Sequence, residues 1–230
     1  MYDKTKTIIT MTYLIALIFL FSSCSFTNSK IEKTKSTEQK NSTKQNTNKT
    51  MSTNLDTAVF GAGCFWCVEA VFQRLKGVES IQSGYTGGTV ENPTYKQVST
   101  GTTGHAEVAK ILYDPSIISF DELLEVFWTT HDPTTLNKQG ADEGTQYRSG
   151  VFYLNDDQKA ASEKSKKDVA TQIWDGTIVT EITPLGKFYV AEDYHQNYYN
   201  QNSDQSYCKF VINPKLDKFR KKFKDKLKEE

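Results

Sequence analysis

The chain opens with one apolar run. Apolar residues dominate positions 8–21 and are uninterrupted over positions 13–21, after Lys4 and Lys6. A membrane-spanning helix needs about 20 such residues, so this run is too short to span comfortably. A positively charged start followed by a short apolar run is typical of an export signal. The pattern therefore predicts that the chain is exported.

The apolar run ends in small residues followed by a cysteine, at Phe21-Ser22-Ser23-Cys24. This arrangement is typical of a bacterial lipoprotein signal, although Phe21 stands where Leu is usual. It predicts removal of residues 1–23 and lipidation of Cys24. A plain cleaved signal and an uncleaved anchor are the alternatives.

A polar stretch follows the predicted lipidation site. Residues 25–54 contain only Phe26, Ile31 and Met51 as sizeable apolar side chains. Such a segment buries too little apolar surface to offset the entropy lost on ordering. We expect residues 24–54 to form a flexible tether that holds a catalytic domain, residues 55–230, off the membrane.

Short apolar runs and helical periodicity alternate through the rest of the chain. The runs predict strands at residues 57–60, 78–85, 107–113, 147–154 and 177–183. The spacing of apolar positions predicts helices from about Cys64 to Gly77, from the Ser119/Glu122 capping box to about His131, over 156–172, and around 216–227. Loops are expected at 84–93 and 134–144. Because the order is not strictly βαβ, we expect an α+β domain in which helices cover a two-layer mixed sheet.

Composition narrows the range of functions. Lys+Arg and Asp+Glu both number 28, and this balance argues against a nucleic-acid-binding protein. The 12 Tyr and 13 Phe predict a core or pocket rich in aromatic rings. Four cysteines (Cys24, Cys64, Cys67 and Cys208) are too few for a disulfide scaffold in a chain of 230 residues.

The most informative stretch surrounds a cysteine at a predicted strand-to-helix turn, Gly61-Ala62-Gly63-Cys64-Phe65-Trp66-Cys67. The positive end of the helix dipole would lower the pKa of the Cys64 thiol. Phe65 and Trp66 would form an apolar wall beside the sulfur. The alternative is a buried structural cysteine with two core aromatic residues. Cys64 and Cys67 could also form a reversible disulfide, whereas no second ligand pair favours a metal site.

Acidic residues and tyrosines elsewhere could complete a site. Glu107 begins an apolar strand, and burial would raise its carboxyl pKa; a solvent-facing glutamate is the alternative. His105 is either a base or a support for the turn. Tyr95 and Tyr147 follow turn residues and could donate hydrogen bonds, or could simply pack on the sheet. Asp142 is ambiguous, and the acids near His195 could equally mark a helix N-terminus.

Six segments together resemble the A-type methionine sulfoxide reductases over residues 57 to 215. They occur in the family's order at similar spacings: Gly63-Cys64-Phe65-Trp66, Gly84-Tyr85-Thr86-Gly87-Gly88, Asn92-Pro93-Thr94-Tyr95, Gly104-His105-Ala106-Glu107, Gly144-Thr145-Gln146-Tyr147-Arg148-Ser149 and Ala191-Glu192-Asp193-Tyr194-His195-Gln196. The resemblance implies a core related to the ferredoxin-like fold, and reduction of the S epimer of methionine sulfoxide without a cofactor. It also implies one role for each group of residues: Cys64 as nucleophile, Phe65 and Trp66 against the methyl group, Glu107 as acid, Tyr95 and Tyr147 on the sulfoxide oxygen, and Asp142 as an orienting group.

The resemblance implies that a second thiol resolves a sulfenic acid on Cys64. Ser206-Tyr207-Cys208 stands where many members carry the resolving cysteine, so Cys208 is expected to act first. Cys67 is the alternative, or the second partner in a relay. Thioredoxin or a similar dithiol would regenerate a monomeric enzyme, and oxidised proteins outside the cytoplasm would be its substrates.

Three other functions remain open from the residues alone. A thiol–disulfide oxidoreductase would use Cys64 and Cys67, and a cysteine hydrolase would pair Cys64 with His105 or His195. A lipid-anchored binding protein with an aromatic pocket would need no chemistry at all.

Overall fold

The computed structural model describes residues 54–229. The predicted signal, the lipidation site at Cys24 and nearly all of the tether lie outside these residues. No helix in the described part of the chain combines the length and apolar character that a membrane crossing requires.

Residues 54–229 contain eight strands and seven α-helices. The strands are β1 (Asp56–Ala62), β2 (Val78–Thr86), β3 (Ala106–Tyr113), β4 (Lys138–Gln139), β5 (Asp142–Glu143), β6 (Ser149–Tyr153), β7 (Glu181–Pro184) and β8 (Tyr189–Val190). The helices are α1 (Phe65–Phe72), α2 (Tyr95–Val98), α3 (Phe120–Thr130), α4 (Asp156–Ser165), α5 (Thr171–Ile173), α6 (Tyr198–Gln201) and α7 (Asn213–Lys222). Two π-helical turns, Lys166–Ala170 and Cys208–Ile212, precede α5 and α7.

Six of the strands form one mixed sheet in the order β7-β6-β1-β3-β2-β8. Strands β6 and β7 are parallel, and the other neighbouring pairs are antiparallel. Strands β4 and β5 form a separate hairpin. The predicted α+β class, with a mixed sheet and covering helices, is confirmed.

The two faces of the sheet carry unequal apolar clusters. Alternate residues of β1 point to opposite faces, as strand geometry requires. Phe60 belongs to the main core, where its ring lies 5.6 Å from Phe72 of α1 and 5.0 Å from Phe127 of α3. Val59 belongs to a small cluster on the other face, with Val108 and Phe152. The main core therefore packs α1, and the turn before it, against the central strands.

Local signals in the sequence located α3 well. Ser119 Oγ accepts a hydrogen bond from the Glu122 backbone at 3.2 Å, and Glu122 Oε2 accepts one from the Ser119 backbone at 2.8 Å. Both halves of the predicted capping box are confirmed, and the helix ends at Thr130, next to the expected His131. Reciprocal bonds of this kind satisfy amides that a helix start leaves free.

Several predicted boundaries were wrong where tertiary contacts intervene. Helix α1 ends at Phe72, not at Gly77, because the following residues form a turn in which Leu75 bridges to Leu227. The predicted helix over 156–172 is interrupted by the π-helical turn. The strand expected at 177–183 begins only at Glu181, where pairing with β6 begins. The expected loop at 134–144 contains the β4–β5 hairpin.

Candidate active site

Cys64 occupies the turn between the end of β1 and the start of α1. It is the N-cap residue of α1, but its side chain makes no capping hydrogen bond. Gly63, at φ +87°, makes the turn possible, because a Cβ at this position would lie 2.6 Å from Gln139 Cβ. The turn leaves the Cys64 side chain buried, with 7% of its surface exposed.

Glu107 lies beside this turn on β3. Its Oε2 atom accepts a hydrogen bond from the Phe65 backbone at 3.1 Å, and it therefore caps the first free amide of α1. Only 1% of the residue is exposed, and burial raises the pKa of its carboxyl group to about 8. The predicted burial and raised pKa are confirmed, and the solvent-facing alternative is wrong. At neutral pH this carboxyl group carries a proton.

The predicted lowering of the Cys64 pKa is wrong for this arrangement. Burial raises the pKa of the thiol well above its usual value, and the hydrogen bond with Cys67 and the charge of Glu107 act in the same direction. A helix terminus contributes about 0.3–1 kcal/mol, whereas full burial can shift a pKa by about 3–5 units at roughly 1.4 kcal/mol each. Desolvation therefore outweighs the dipole. A neutral Glu107 removes the repulsion and favours the Cys64 thiolate.

Aromatic rings form a wall next to Cys64, as the sequence predicts. Phe65 stacks on Tyr95 with ring centroids 6.5 Å apart, and lies 6.3 Å from Trp66. Trp66 stacks on Tyr198 at 3.7 Å and 8°. Its Nε1 atom donates a hydrogen bond to His195 Nδ1 at 3.1 Å. The indole is therefore fixed on its face and on its polar edge.

Both histidines considered as possible bases position other groups. His195 is 1% exposed and accepts from Trp66 through Nδ1, and burial lowers its pKa. His105 accepts from the Gly88 backbone at 3.1 Å and donates to the Val90 carbonyl at 2.8 Å. His105 thus supports the loop after β2, which confirms the second of its two predicted roles.

Tyr95 and Tyr147 are half-buried, and Glu107 lies close enough to each to raise its pKa through the carboxylate charge. Burial is the larger cause for both, so both phenols keep their protons. The acidic segment before His195 fixes the backbone of one of these residues, Tyr95. Glu192 accepts from the Tyr95 backbone at 2.8 Å and from the Tyr85 hydroxyl at 2.9 Å.

The β4–β5 hairpin brings Asp142 to the same place. Gln139 contacts Gly63, and its side chain forms two hydrogen bonds of 3.1 Å with the Asp132 backbone. Asp142 pairs with Gln139 in the hairpin and accepts a hydrogen bond from the Tyr207 hydroxyl at 2.6 Å. The Tyr207 hydroxyl also lies 3.8 Å from Cys67 Sγ.

The three cysteines among the described residues are free thiols, and all are buried. Cys64 and Cys67 share a hydrogen bond. Cys208 begins the second π-helical turn, directly after Tyr207, and is fully buried. Over residues 54–229, no cluster of His, Cys, Asp or Glu could hold a metal ion.

Comparison with known proteins decides the family. The model of the family described as peptide methionine sulfoxide reductase matches residues 56–227. The chain belongs to this family. The peptide methionine sulfoxide reductase MsrA of Nitratiruptor sp. is 55% identical over 172 residues, which cover 75% of this chain and 98% of that protein. The corresponding protein of Chromobacterium violaceum is 51% identical over 170 residues, 74% of this chain and 97% of its own.

Solved structures of similar proteins agree with this assignment. Mxr1 from Saccharomyces cerevisiae in reduced form has a TM-score of 0.64 and 35% identity, covering 67% of this chain and 89% of its own. Methionine sulfoxide reductase A of Corynebacterium diphtheriae has a TM-score of 0.59 and 37% identity, covering 66% of this chain and 77% of its own.

The fold brings together every site residue predicted for this family member within residues 54–229. These residues are Cys64, Phe65, Trp66, Cys67, Tyr95, Glu107, Asp142, Tyr147 and Cys208. Sequence reasoning missed the supporting groups: Tyr198 on Trp66, and Tyr207 on Asp142. The density of tyrosines over residues 194–207 was the only signal for them.

Proposed function

We propose that this chain reduces the S epimer of methionine sulfoxide, free or in proteins, to methionine. The observation that carries this proposal is a buried Cys64 thiol between an aromatic wall and a protonated Glu107. A sulfoxide oxygen leaves only when it is protonated, and a thiol becomes a nucleophile only when it is deprotonated. Glu107 already holds the proton that the oxygen needs at neutral pH, and the Cys64 thiol, whose pKa burial raises, gives up its proton as it attacks.

The residues around Cys64 suit a bound methionine sulfoxide. Phe65 and Trp66 offer an apolar surface to its methyl group, and Tyr95 and Tyr147 offer hydroxyl donors to its oxygen. Asp142 orients the Tyr207 hydroxyl beside the two thiols. Two different surfaces, one for the methyl group and one for the oxygen, can distinguish the epimers at sulfur.

The first step transfers one oxygen atom. Cys64 attacks the sulfoxide sulfur and gives up its thiol proton as it does so, while Glu107 donates a proton to the oxygen. Methionine is released and Cys64 becomes a sulfenic acid, so cysteine is oxidised by two electrons and the sulfoxide is reduced by two. The proton originally on Cys64 restores Glu107.

A second thiol then forms a disulfide and releases water. The family resemblance favours Cys208 as this thiol, but the hydrogen bond between Cys64 and Cys67 favours Cys67 as the first attacker. Cys208 would then attack Cys67 and release Cys64. A dithiol such as thioredoxin would reduce the final disulfide.

Separate replacement of the two thiols tests this order. Cys208→Ser should still form one methionine per enzyme and one intramolecular disulfide, but should turn over slowly with thioredoxin. Cys67→Ser should form methionine at the normal rate and accumulate the sulfenic acid, which dimedone labelling measures. A disulfide between Cys64 and Cys208 at the normal rate in Cys67→Ser would reverse the order.

A direct assay tests the activity itself. The protein is incubated with a peptide containing one methionine S-sulfoxide and with dithiothreitol, and mass spectrometry should show loss of one oxygen. The R-sulfoxide peptide should remain unchanged. No loss from either peptide would contradict the proposal, and reduction of insulin instead would favour a thiol–disulfide oxidoreductase.

We also propose that the enzyme is an exported monomer anchored by a lipid on Cys24. The apolar run before Cys24 and the polar residues after it support this location. Its substrates would be oxidised proteins outside the cytoplasm, and its reductant would be a thioredoxin-like dithiol on that side. Mass spectrometry of the mature N-terminus should find a lipid-modified Cys24, and recovery of an intact residue 1 in the cytosol would contradict export.

A further inference from the structure

Cys67 has two different surroundings. Next to it lie Cys64, with which it shares a hydrogen bond, and the Tyr207 hydroxyl. Cys67 also lines a small void of about 10 Å³. The void is lined by Ala62, Cys67, Val68, Val71, Thr130 and Lys215. Apart from Thr130 and Lys215, this lining is apolar.

Lys215 reaches this void from the first turn of α7. It is half-buried, and it also lines an open cleft of about 460 Å³ between α3 and α7. Within residues 54–229 its ammonium group forms no hydrogen bond and no ion pair. Lys218 and Lys222 line the same cleft, but they do not line the void.

The electrostatic surroundings of Cys67 include the ammonium group of Lys215. Among the described residues, Cys64, Glu107, Asp142, Tyr207 and Cys208 also interact with its thiol. Asp142 opposes ionisation of Cys67, whereas Lys215 favours it. Because Cys67 is only 2% exposed, water is largely excluded from its thiol, and a nearby ammonium charge is weakly screened.

We propose that Lys215 is a positioning residue for the resolving step, in which its ammonium group stabilises Cys67 as the thiolate that attacks the Cys64 sulfenic acid. This inference rests on the proposed function. The attack forms the Cys64–Cys67 sulfur–sulfur bond and breaks the sulfur–oxygen bond of the sulfenic acid. The hydroxide that leaves takes up the proton that Cys67 gave up, so the products are a disulfide and one water molecule.

The expected effect depends on pH. Loss of the charge should raise the Cys67 pKa, and each unit of increase lowers the thiolate fraction tenfold on the acidic side of the profile. The less acidic thiolate is a better nucleophile, with a Brønsted slope of about 0.4–0.5, so the net loss is about threefold to fourfold per unit. On the alkaline side, where Cys67 is ionised in both proteins, the variant should be faster by about 2.5-fold to threefold per unit, so the two profiles cross. A purely structural defect would instead slow the step at every pH.

The experiment uses the full chain with Cys208→Ser, so that Cys64 and Cys67 form the only expected disulfide. Methionine S-sulfoxide is added without reductant, and samples are quenched in acid. One aliquot is used to measure the methionine formed. Another is alkylated, and mass spectrometry then counts the free thiols that remain. Lys215→Gln should leave methionine formation unchanged while moving the disulfide profile to higher pH.

Two matched variants separate charge from packing. Here the parent is the Cys208→Ser protein. Lys215→Arg should restore the parent's pH profile of disulfide formation. Lys218→Gln, one turn along the same face of α7, should have the same profile as the parent. A Lys215→Gln profile equal to the parent's, or equally slowed at all pH values, overturns the inference, as does a parent that forms methionine but no Cys64–Cys67 disulfide. A parent that forms no methionine would instead contradict the proposed function.

Discussion

The Cys64→Ser protein should release no methionine from a methionine sulfoxide peptide, with a loss on the order of 10⁴-fold or more. A serine hydroxyl stays protonated at neutral pH and cannot accept the oxygen as a stable sulfenic acid equivalent. The aromatic wall and Glu107 would remain in place, but the step that breaks the sulfur–oxygen bond would have no nucleophile. Mass spectrometry of the peptide after incubation with dithiothreitol measures the outcome.

The same substitution should preserve the fold. Cys64 is the N-cap of α1 and makes no capping hydrogen bond, whereas serine is a favoured N-cap residue. The midpoint of urea unfolding should therefore stay the same or rise. Normal conversion of the sulfoxide by a folded Cys64→Ser protein would exclude the mechanism.

Glu107→Gln should slow methionine formation by about 10²–10⁴-fold, the usual contribution of a positioned acid. Glutamine can still accept the hydrogen bond that Glu107 accepts from the Phe65 backbone, so α1 should keep its start. What it lacks is the acidic proton for the sulfoxide oxygen. Single-turnover methionine formation, with no reductant, isolates this step from disulfide chemistry.

The pH dependence provides a check on the role of Glu107. Since the carboxyl pKa is about 8, methionine formation by the parent protein should fall as pH rises through 8, and the Gln variant should lack this fall. A parent rate that is unchanged from below pH 8 to well above it would contradict Glu107 as the acid.

The free energy of unfolding should rank the parent protein and Glu107→Gln in the opposite order to their activities above pH 8. The native carboxyl binds its proton more tightly than the unfolded one, so Glu107 favours folding at low pH and loses this contribution as pH rises from 4.5 to about 8. The loss is about 1.4 kcal/mol per pH unit in that window. Glu107→Gln should thus be more stable than the parent above pH 8 while being less active, a combination that general misfolding cannot produce.

The local signals of the sequence were reliable where neighbouring residues decide the structure. The Ser119/Glu122 box located α3 because both partners lie within one helical turn. Glycines around Cys64 predicted the turn because Gly63 adopts a conformation that other residues avoid. The helix over 156–172 failed, since a π-helical turn interrupts it without a local signal of glycine or proline.

Electrostatics required the tertiary structure. The sequence indicates a helix start beside Cys64, and hence a favourable dipole. It does not indicate that the thiol is buried, that Glu107 accepts a hydrogen bond from the first free amide of α1, or that Cys67 forms a hydrogen bond with Cys64. These three contacts reverse the expected direction of the Cys64 pKa.

The amino-acid sequence by itself identified the candidate groups, because the short segments that carry the nucleophile, the acid and the aromatic wall follow the order and spacing of the A-type methionine sulfoxide reductases. The tertiary structure alone decided how these groups are held and charged. Trp66 is fixed by His195 and Tyr198, which lie more than a hundred residues away along the chain. Lys215 meets Cys67 only because α7 packs near α1. Contacts at such separations depend on the packing of the whole core, and no local pattern encodes them.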